Sequence, residues 1–481
     1  MAPSEQEDHF AISLRNHRVI LLAAAETASA SAQGTPPILP MALIGGVLVL
    51  TFIAIAFELV HKSLAALAGT IVAVIIALSL GVFGGDHPYD VVHGFIAHDL
   101  SVIGVIVGTS ILVGIAAKSG LFHFLAIKLV KLTGGKPALL LPAMMAATIG
   151  FVTFLTIAPG VLIMTSLVLV ITKALDYKPV PYIMVVAIGA NSGALMTFAS
   201  GIPTLMIGTS ANIPYVHFLI VSTPLAIVSA LVAFVVIRFA YRRDLVATTG
   251  VEERRDKVAQ FDEWALVKDR AIFVRCAIIL GFTILGFAFA QQLGVGLDFI
   301  AFCGAAAALF FSGFDTEDAI RAVKWPIILF FVGLFVLIGC VRETGLLEIL
   351  AAQIFEISGT NVTIAVAILV PFVFITAGIV DNIPVAATMI PIIQSMIASG
   401  VPAEPLWWAL IGACNLGGNP TPVGSIAAVI ALHALEKERG IRIGWGEYLK
   451  VGGFVTLLQI PLVIGYIALY RWLELFPSLS S

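Results

Sequence analysis

Long apolar runs dominate the chain and alternate with short polar segments. A helix needs about 17 to 25 mostly apolar residues to cross the hydrocarbon of a bilayer. Other apolar segments are shorter or are interrupted by Gly and Pro, which is typical of hairpins and broken helices. The pattern predicts about ten to twelve membrane helices. The uninterrupted runs occupy residues 41–60, 64–82, 101–117, 214–241, 271–290, 295–311, 327–341, 363–380 and 451–470.

Composition agrees with a membrane environment. Of 481 residues, 60% are hydrophobic and only 11% are charged, so lipid rather than water surrounds most of the chain. The net charge of −3 and the lack of a long basic block argue against a nucleic-acid partner. The four cysteines have no CxxC spacing, so neither a disulfide framework nor a zinc site is indicated, and no cofactor is implied. We expect a multi-pass protein of the cell (inner) membrane.

A polar segment near the middle, residues 241–270, divides the apolar part into halves of similar length. Seven Lys and Arg side chains cluster there, and the positive-inside rule places it in the cytoplasm. Near the N-terminus, residues 16–34 are somewhat like a signal peptide, although Glu26 interrupts the apolar run. The predicted division is an N-terminal segment (1–40), a first transmembrane repeat (41–240), a cytoplasmic linker (241–270) and a second transmembrane repeat (271–473).

The two halves contain matching motifs. VGTSILVGIAAKSGLFHFLA lies over VGLFVLIGCVRETGLLEILA and pairs Gly108 with Gly333. Carried forward without a gap, this alignment pairs Pro159 with Pro384, so both halves contain a Pro-broken hairpin, and a Gly-rich break follows in each. Secondary transporters built from inverted repeats have this organisation, with substrate near the membrane midplane. We expect an all-α polytopic membrane protein with two inverted repeats of about five helices each, re-entrant hairpins and broken helices.

Small polar residues gather in the two breaks. Irregular backbone inside a membrane occurs only where it is buried in protein or lines a cavity, so the breaks should face inward. Helix N-termini at such breaks carry partial positive charge and favour anionic or oxygen-rich ligands, while C-terminal carbonyls favour cations. The candidate substrate ligands in the first break region are Asn191, Ser192, Thr204, Thr209, Ser210 and Asn212. Those in the second are Asn415, Gly418, Asn419, Thr421 and Ser425.

Only one carboxylate occurs in either hairpin, that of Asp381. A carboxylate inside a membrane is costly and is by default a functional hypothesis. Because desolvation favours its neutral form, we interpret Asp381 as the proton-coupling residue. The neighbouring Asn382 and the counterpart of Asp381 in the first repeat, Thr156, are candidate substrate ligands, while Pro159 and Pro384 shape the hairpins. Alternatively, Asp381 is a structural cap that accepts backbone N–H bonds at the hairpin tip.

These motifs resemble those of a known group of transporters. With Asp381-Asn382 followed by Pro384, the GGNPTPVGS break and IGTSAN, the chain resembles the ArsB/NhaD permeases of the ion transporter superfamily over residues 41–473. The TPVGS break, the following Leu-His and the WGEYLKVG segment are most similar to arsenical pump permeases. Two features depart from the sodium/proton antiporter branch: the first hairpin lacks an acidic residue, and Ala428 stands where that branch has Asn.

The resemblance implies efflux of arsenite or antimonite in exchange for protons by an elevator-type mechanism. It also implies a homodimer and, as for some arsenical pumps, an accessory ATPase. The alternatives are a sodium/proton antiporter of the NhaD type or another ion or anion permease of the superfamily. A dicarboxylate symporter is less favoured because the hairpins lack the paired Ser-Asn-Thr pattern. No HExxH, GxSxG or Walker motif occurs, which argues against an enzyme. Transport against a gradient would exclude a passive channel.

Overall fold

The computed structural model describes residues 38–478 except 58, 85–86, 99, 199 and 246–249. The stretch that is somewhat like a signal peptide lies outside these residues. Within them the chain forms helices and no strand. The first half contains α1 (Ile38–Ala56), α2 (Lys62–Ser79), α3 (Asp90–His98), α4 (Leu100–Lys118), α5 (Leu121–Thr133), α6 (Pro137–Leu155), α7 (Ile157–Ala174), α8 (Val180–Met196), α9 (Ile202–Ser210) and α10 (Tyr215–Ala240).

A short helix, α11 (Val251–Ala259), lies between the two halves. The second half contains α12 (Arg270–Leu293), α13 (Leu297–Ser312), α14 (Thr316–Ile320), α15 (Trp325–Glu343), α16 (Leu346–Ser358), α17 (Val362–Val380), α18 (Asn382–Ala398), α19 (Ala403–Leu416), α20 (Ile426–Arg439) and α21 (Trp445–Trp472).

Ten helices of the described residues are long and apolar enough to cross a membrane, and three shorter apolar helices accompany them. This confirms the expectation of an all-α, multi-pass membrane protein. The arms of the first hairpin, α6 and α7, reach the length of a full span although they were not among the uninterrupted apolar runs. Pro142 lies inside α6, and neighbouring membrane helices can compensate for the backbone bond that such a proline removes.

Matching helices of the two halves begin and end at equivalent positions. The spacing that separates Gly108 from Gly333 also separates both ends of α4 from those of α15, both ends of α5 from those of α16, and both ends of α6 from those of α17. We count α4, the α8–α9 pair, α10, α12 and α13 as one membrane crossing each between the starts of α4 and α15, and the hairpin as either no crossing or two. The total is odd, so α15 enters the membrane from the face opposite to α4, which is the geometry of inverted repeats.

The aligned helices α4 and α15 each pack against a helix of the other half. α4 lies along α13, and α15 lies along α2. A Cβ added at Gly108 would lie 2.6 Å from the carbonyl carbon of Ala301, and one at the equivalent Gly333 would lie 3.0 Å from that of Ala66. Small residues permit this close approach of membrane helices. The same contact is therefore used twice, and it interlocks the halves.

The hairpin tips are single residues with positive φ, Thr156 at 66° and Asp381 at 104°. Such a φ is rare for a residue other than glycine and cannot continue a helix. Pro159 and Pro384 follow in the first turn of α7 and α18, where a proline removes no intrahelical hydrogen bond. The helix that follows each break packs on the other repeat: α20 packs on α7 and α8, and α9 packs on α18. This exchange brings the tips and breaks of both repeats to one place.

Candidate functional site

A cavity of about 270 Å³ lies where the two tips and the two breaks meet. Its remaining walls are α4 and the residues that lead into α15. Of the candidate substrate ligands, Thr156, Asn382 and Ser425 line it. The volume is just below the range of roughly 300–1,000 Å³ common for ligand pockets, so the cavity suits a small solute.

Four helices begin at this cavity. The first residues of α7, α9, α18 and α20 are Ile157, Ile202, Asn382 and Ile426, and all four line the cavity. The first N–H groups of a helix have no partner within the helix, and the helix dipole adds roughly half a positive elementary charge at this end. An anion in the cavity would lie close to all four positive ends.

Only one of the four helix starts is capped by a side chain. The Ser425 hydroxyl accepts a hydrogen bond from the Ala427 N–H at 3.2 Å and so caps α20. At the starts of α7, α9 and α18, the N-cap residues Thr156, Gly201 and Asp381 make no side-chain cap bond. The structural alternative in which Asp381 caps its own helix therefore has no support from the geometry.

Lys324 is the charged residue of the cavity wall. It immediately precedes α15, and no acidic residue among the described residues lines the cavity beside it. Its side chain keeps contact with solvent, yet the protein around the cavity desolvates the ammonium and lowers its pKa. An anion bound next to Lys324 would restore a favourable environment for the charged form. Sequence reasoning did not select Lys324, because a lysine at the edge of an apolar run usually marks the membrane interface.

Asp381 does not face the cavity but pairs with a lysine on another helix. The Lys62 Nζ, at the start of α2, lies 3.1 Å from the Asp381 Oδ2. The other carboxylate oxygen, Oδ1, is buried and has no hydrogen-bond partner among the described residues. Lys62 was also missed in the sequence, since 319 positions separate it from Asp381.

A chain of buried amides connects the second break with the first repeat. The Asn191 side chain donates to the Asn419 Oδ1 at 2.8 Å and accepts from the Ser425 hydroxyl at 2.8 Å. Asn419 in turn donates to the Gln459 Oε1 at 2.8 Å, and Gln459 donates to the Ser229 carbonyl at 3.2 Å. These amides satisfy one another and so position the break, rather than pointing as free groups at a ligand. Sequence reasoning missed Gln459, although a polar residue inside an apolar run is a signal that could have found it.

A second set of hydrogen bonds holds the first break and the second hairpin. Asn415 donates to the Thr204 hydroxyl at 2.8 Å, and Thr204 donates to the Ala194 carbonyl at 2.8 Å. Thr421 donates to the Gly378 carbonyl at 2.5 Å and thereby ties the second break to α17, three residues before Asp381. Thr421 therefore helps to position the hairpin tip.

The remaining candidates lie outside the cavity wall. Ser192 is buried and its hydroxyl has no hydrogen-bond partner among the described residues. A Cβ at Gly418 would lie 2.7 Å from the Gly424 carbonyl oxygen, so the break needs glycine there for close packing. Thr209 and Asn212 line a groove beyond the end of α9, and Ser210 lines another groove together with Arg342 and Gln394.

The packing of α21 on the second break gives a stability prediction. A Cβ at Gly452 would lie 2.3 Å from the Asn419 carbonyl oxygen, and a backbone atom cannot yield as a flexible side chain does. We expect Gly452→Ala to lower the free energy of unfolding by about 1–3 kcal/mol, the usual cost of overpacking, as measured by the melting temperature in detergent. Gly465→Ala on the same helix, where nothing lies within 4 Å, is the control. Equal melting temperatures would show that the break is not tightly held.

Comparisons with known proteins indicate a transporter. A family model described as "Citrate transporter" (CitMHS) matches residues 52–413. A 46 kDa membrane protein of Mycobacterium leprae is 28% identical over 435 residues, which cover 89% of this chain and 97% of that protein. The arsenical pump membrane protein of Escherichia coli K12 is 23% identical over 441 residues, which cover 89% of this chain and 99% of the relative.

A solved structure has the same fold. The crystal structure of the Alcanivorax borkumensis YdaH transporter, described as having an unusual topology, superposes with a TM-score of 0.60. The alignment covers 86% of this chain and 99% of that one, at 14% sequence identity. At this identity the likeness concerns the fold alone. The structure confirms the expected helical transporter fold, and the family model and the relatives above support the ion transporter superfamily. The matching family is that of citrate transporters, and the arsenical pump relatives are similar only at low identity.

Proposed function

Because this chain belongs to the citrate transporter family CitMHS of the ion transporter superfamily, we propose that it is a secondary active transporter of a small oxygen-rich anion. The substrate binds in the cavity between the two hairpin tips. The observation that carries this proposal is the convergence of four helix N-termini and Lys324 on a cavity wall without an acidic residue among the described residues.

The charge of the cavity favours an ionised substrate. Four helix ends supply roughly two positive elementary charges, and Lys324 adds one more. An ionised carboxylate gains from this field, whereas trivalent arsenic at neutral pH is mostly an uncharged trihydroxide and gains little. A carboxylate of the kind named by the family, citrate, is therefore the first candidate substrate.

Arsenite or antimonite is the second candidate, and the hydrogen-bonding groups of the wall favour it. Thr156, Asn382 and Ser425 line the cavity, and hydroxyl and amide groups are suitable hydrogen-bond partners for the oxygens of a small trihydroxide. The arsenical pump relatives of Escherichia coli supply the chemical precedent. Efflux would then exchange the metalloid for protons, with Asp381 as the proton carrier.

Coupling and movement complete the proposal. Asp381 takes and releases the coupling proton, and the hairpins with their broken helices move against α2, α4, α13 and α15 in an elevator-type cycle in the cell (inner) membrane. A sodium ion as the sole cargo fits the cavity poorly, since four helix N-termini and Lys324 repel a cation. This disfavours a sodium/proton antiporter in which sodium occupies this cavity.

The test is proton movement in proteoliposomes that contain a pH-sensitive dye. Citrate, arsenite and sodium are each added alone, and empty liposomes serve as the control. We expect a proton flux with citrate, because it is the most highly charged of the candidate solutes. A proton flux with arsenite alone would indicate that the substrate is a metalloid, and a proton flux with sodium alone would overturn the anion proposal.

A further inference from the structure

The Lys62–Asp381 ion pair joins α2 to the second hairpin tip. Lys62 is the first residue of α2, which packs along α1 and α15. Asp381 is the tip of the second hairpin, whose arms pack on each other and on α1, α9, α15, α16, α19 and α21. The side chains are 34% and 13% exposed, so the pair is largely shielded from water. It links a helix that packs on α15 to a hairpin tip.

The internal repeat supplies a comparison for this pair. Asp381 corresponds to Thr156 at the first tip, in the same alignment that pairs Gly108 with Gly333. Gly333 approaches Ala66 as Gly108 approaches Ala301, so α2 can be aligned with α13. That second alignment places Lys62 over Leu297, and both are the first residues of their helices. The matched pair of positions, Leu297 and Thr156, therefore carries no charge, whereas Lys62 and Asp381 are both charged.

We infer, on the basis of the proposed function, that Lys62 is a positioning residue for ion coupling. Its ammonium holds the second tip while Asp381 is ionised. When the coupling proton neutralises Asp381, Lys62 loses its counter-charge and the tip separates from α2. Only one tip carries this pair, so only one of the two hairpins is controlled by the coupling ion.

The geometry assigns this role to Lys62 among the charged groups around the hairpin. α1 and α9 carry no titratable residue. Lys324 lines the cavity beside Asn382 rather than pairing with Asp381, and His61 is hydrogen-bonded to the Ser63 hydroxyl at 2.6 Å. The other titratable residues on the packed elements α15, α16, α19 and α21 are Cys340, Arg342, Glu343, Glu348, Glu356, Glu404, Cys414, Glu447, Tyr448, Lys450, Tyr466, Tyr470 and Arg471.

The buried, unpartnered Oδ1 of Asp381 supports an exchange of partners. A carboxylate that served only to anchor Lys62 would gain by hydrogen-bonding both oxygens. Here one oxygen has no partner among the described residues, and it offers a position for a proton while the other oxygen remains with Lys62. Asp381 also has φ at 104°, and strained backbone of this kind collects at functional sites.

The first test needs no substrate. Melting temperatures in detergent are measured from neutral to acidic pH for wild type, Lys62→Gln, Asp381→Asn and the double variant. At neutral pH we expect the losses in melting temperature to be non-additive. The double variant should melt at a higher temperature than Asp381→Asn, because removal of one partner leaves a shielded charge unpaired. Since the pair stabilises the fold only while Asp381 is ionised, the difference between wild type and Lys62→Gln should shrink as the pH falls.

The second test measures coupling. Lys62→Gln removes the counter-charge that holds the tip to α2, so the pH dependence of citrate-driven proton flux should change in this variant, and Lys62→Arg should restore the wild-type profile. The matched control is Lys178→Gln, which breaks an ion pair with Asp244 at 2.5 Å in the loops before α8 and after α10. Additive melting losses, or a pH profile unchanged by Lys62→Gln, would overturn the inference. If wild type shows no proton flux with any solute, the proposed function is refuted. The melting temperatures of wild type, the two single variants and the double variant would still decide the role of the ion pair.

Discussion

Replacing Lys324 by Met is expected to weaken citrate transport by about 10- to 100-fold in half-saturation concentration. Met keeps the length and apolar stem of the side chain but removes the one charged group that lines the cavity within the described residues. A hydrogen bond to a charged group contributes about 1.5–3 kcal/mol, and each 1.4 kcal/mol is a factor of about ten in affinity. The four helix ends remain, so weak binding should persist. The measurement is the concentration dependence of radiolabelled citrate uptake into proteoliposomes.

Two further variants make this result specific. Lys324→Arg keeps the charge but changes the donor geometry, and we expect a smaller loss than for Met. Lys437→Met removes an exposed lysine from the last turn of α20, and it should leave uptake unchanged. If Lys324→Met transports citrate with the half-saturation of wild type, the anion does not bind in this cavity and the proposal loses its main support.

Asp381→Asn is expected to abolish substrate-driven proton movement while the protein remains folded. Asn has nearly the same shape as Asp, so it should fit at the hairpin tip without a new steric clash. It cannot carry a proton on and off, so the dye inside the liposomes should report no pH change on addition of citrate or arsenite. Lys62 is left without a counter-charge in this variant, so some loss of stability is expected as well.

The loss of coupling must be separated from that loss of stability. The Lys62→Gln, Asp381→Asn double variant removes the unpaired ammonium and should regain melting temperature without regaining proton movement. Asp244→Asn breaks the control ion pair with Lys178 and should retain coupling. Undiminished proton movement in Asp381→Asn would remove this residue from the mechanism, and another group would then have to carry the proton.

Much of the architecture follows from local patterns. The spacing that pairs Gly108 with Gly333 in the sequence also separates the bounds of α4 from those of α15. The residue paired with Asp381 by the same spacing, Thr156, is the other hairpin tip with positive φ. Apolar runs long enough to cross a bilayer, together with prolines and glycines at matched positions, are enough to predict helices, hairpins and breaks, because these depend on residues close together in the chain.

The chemistry of the candidate site depends on contacts between distant residues. Lys62 reaches Asp381, and Asn191 reaches Asn419, across 319 and 228 positions respectively. In the sequence these asparagines are free candidate ligands, whereas the structure joins them in a buried hydrogen-bonded network that positions the second break. Their residue types predict polar contacts but do not predict with which partner.

The sequence by itself determined that this is a membrane protein of two repeats with a carboxylate at one hairpin tip. Hydrophobic length, proline and glycine act locally, so they can be interpreted without knowledge of the packing. Only the tertiary structure decided which charges meet. The exchange of α9 and α20 between repeats turns four helix N-termini toward one cavity, and the packing of α2 on α15 brings Lys62 to Asp381. A lysine beside an apolar run has the same sequence pattern whether it anchors a helix at the lipid headgroups or faces a substrate, because that difference arises only from helix packing.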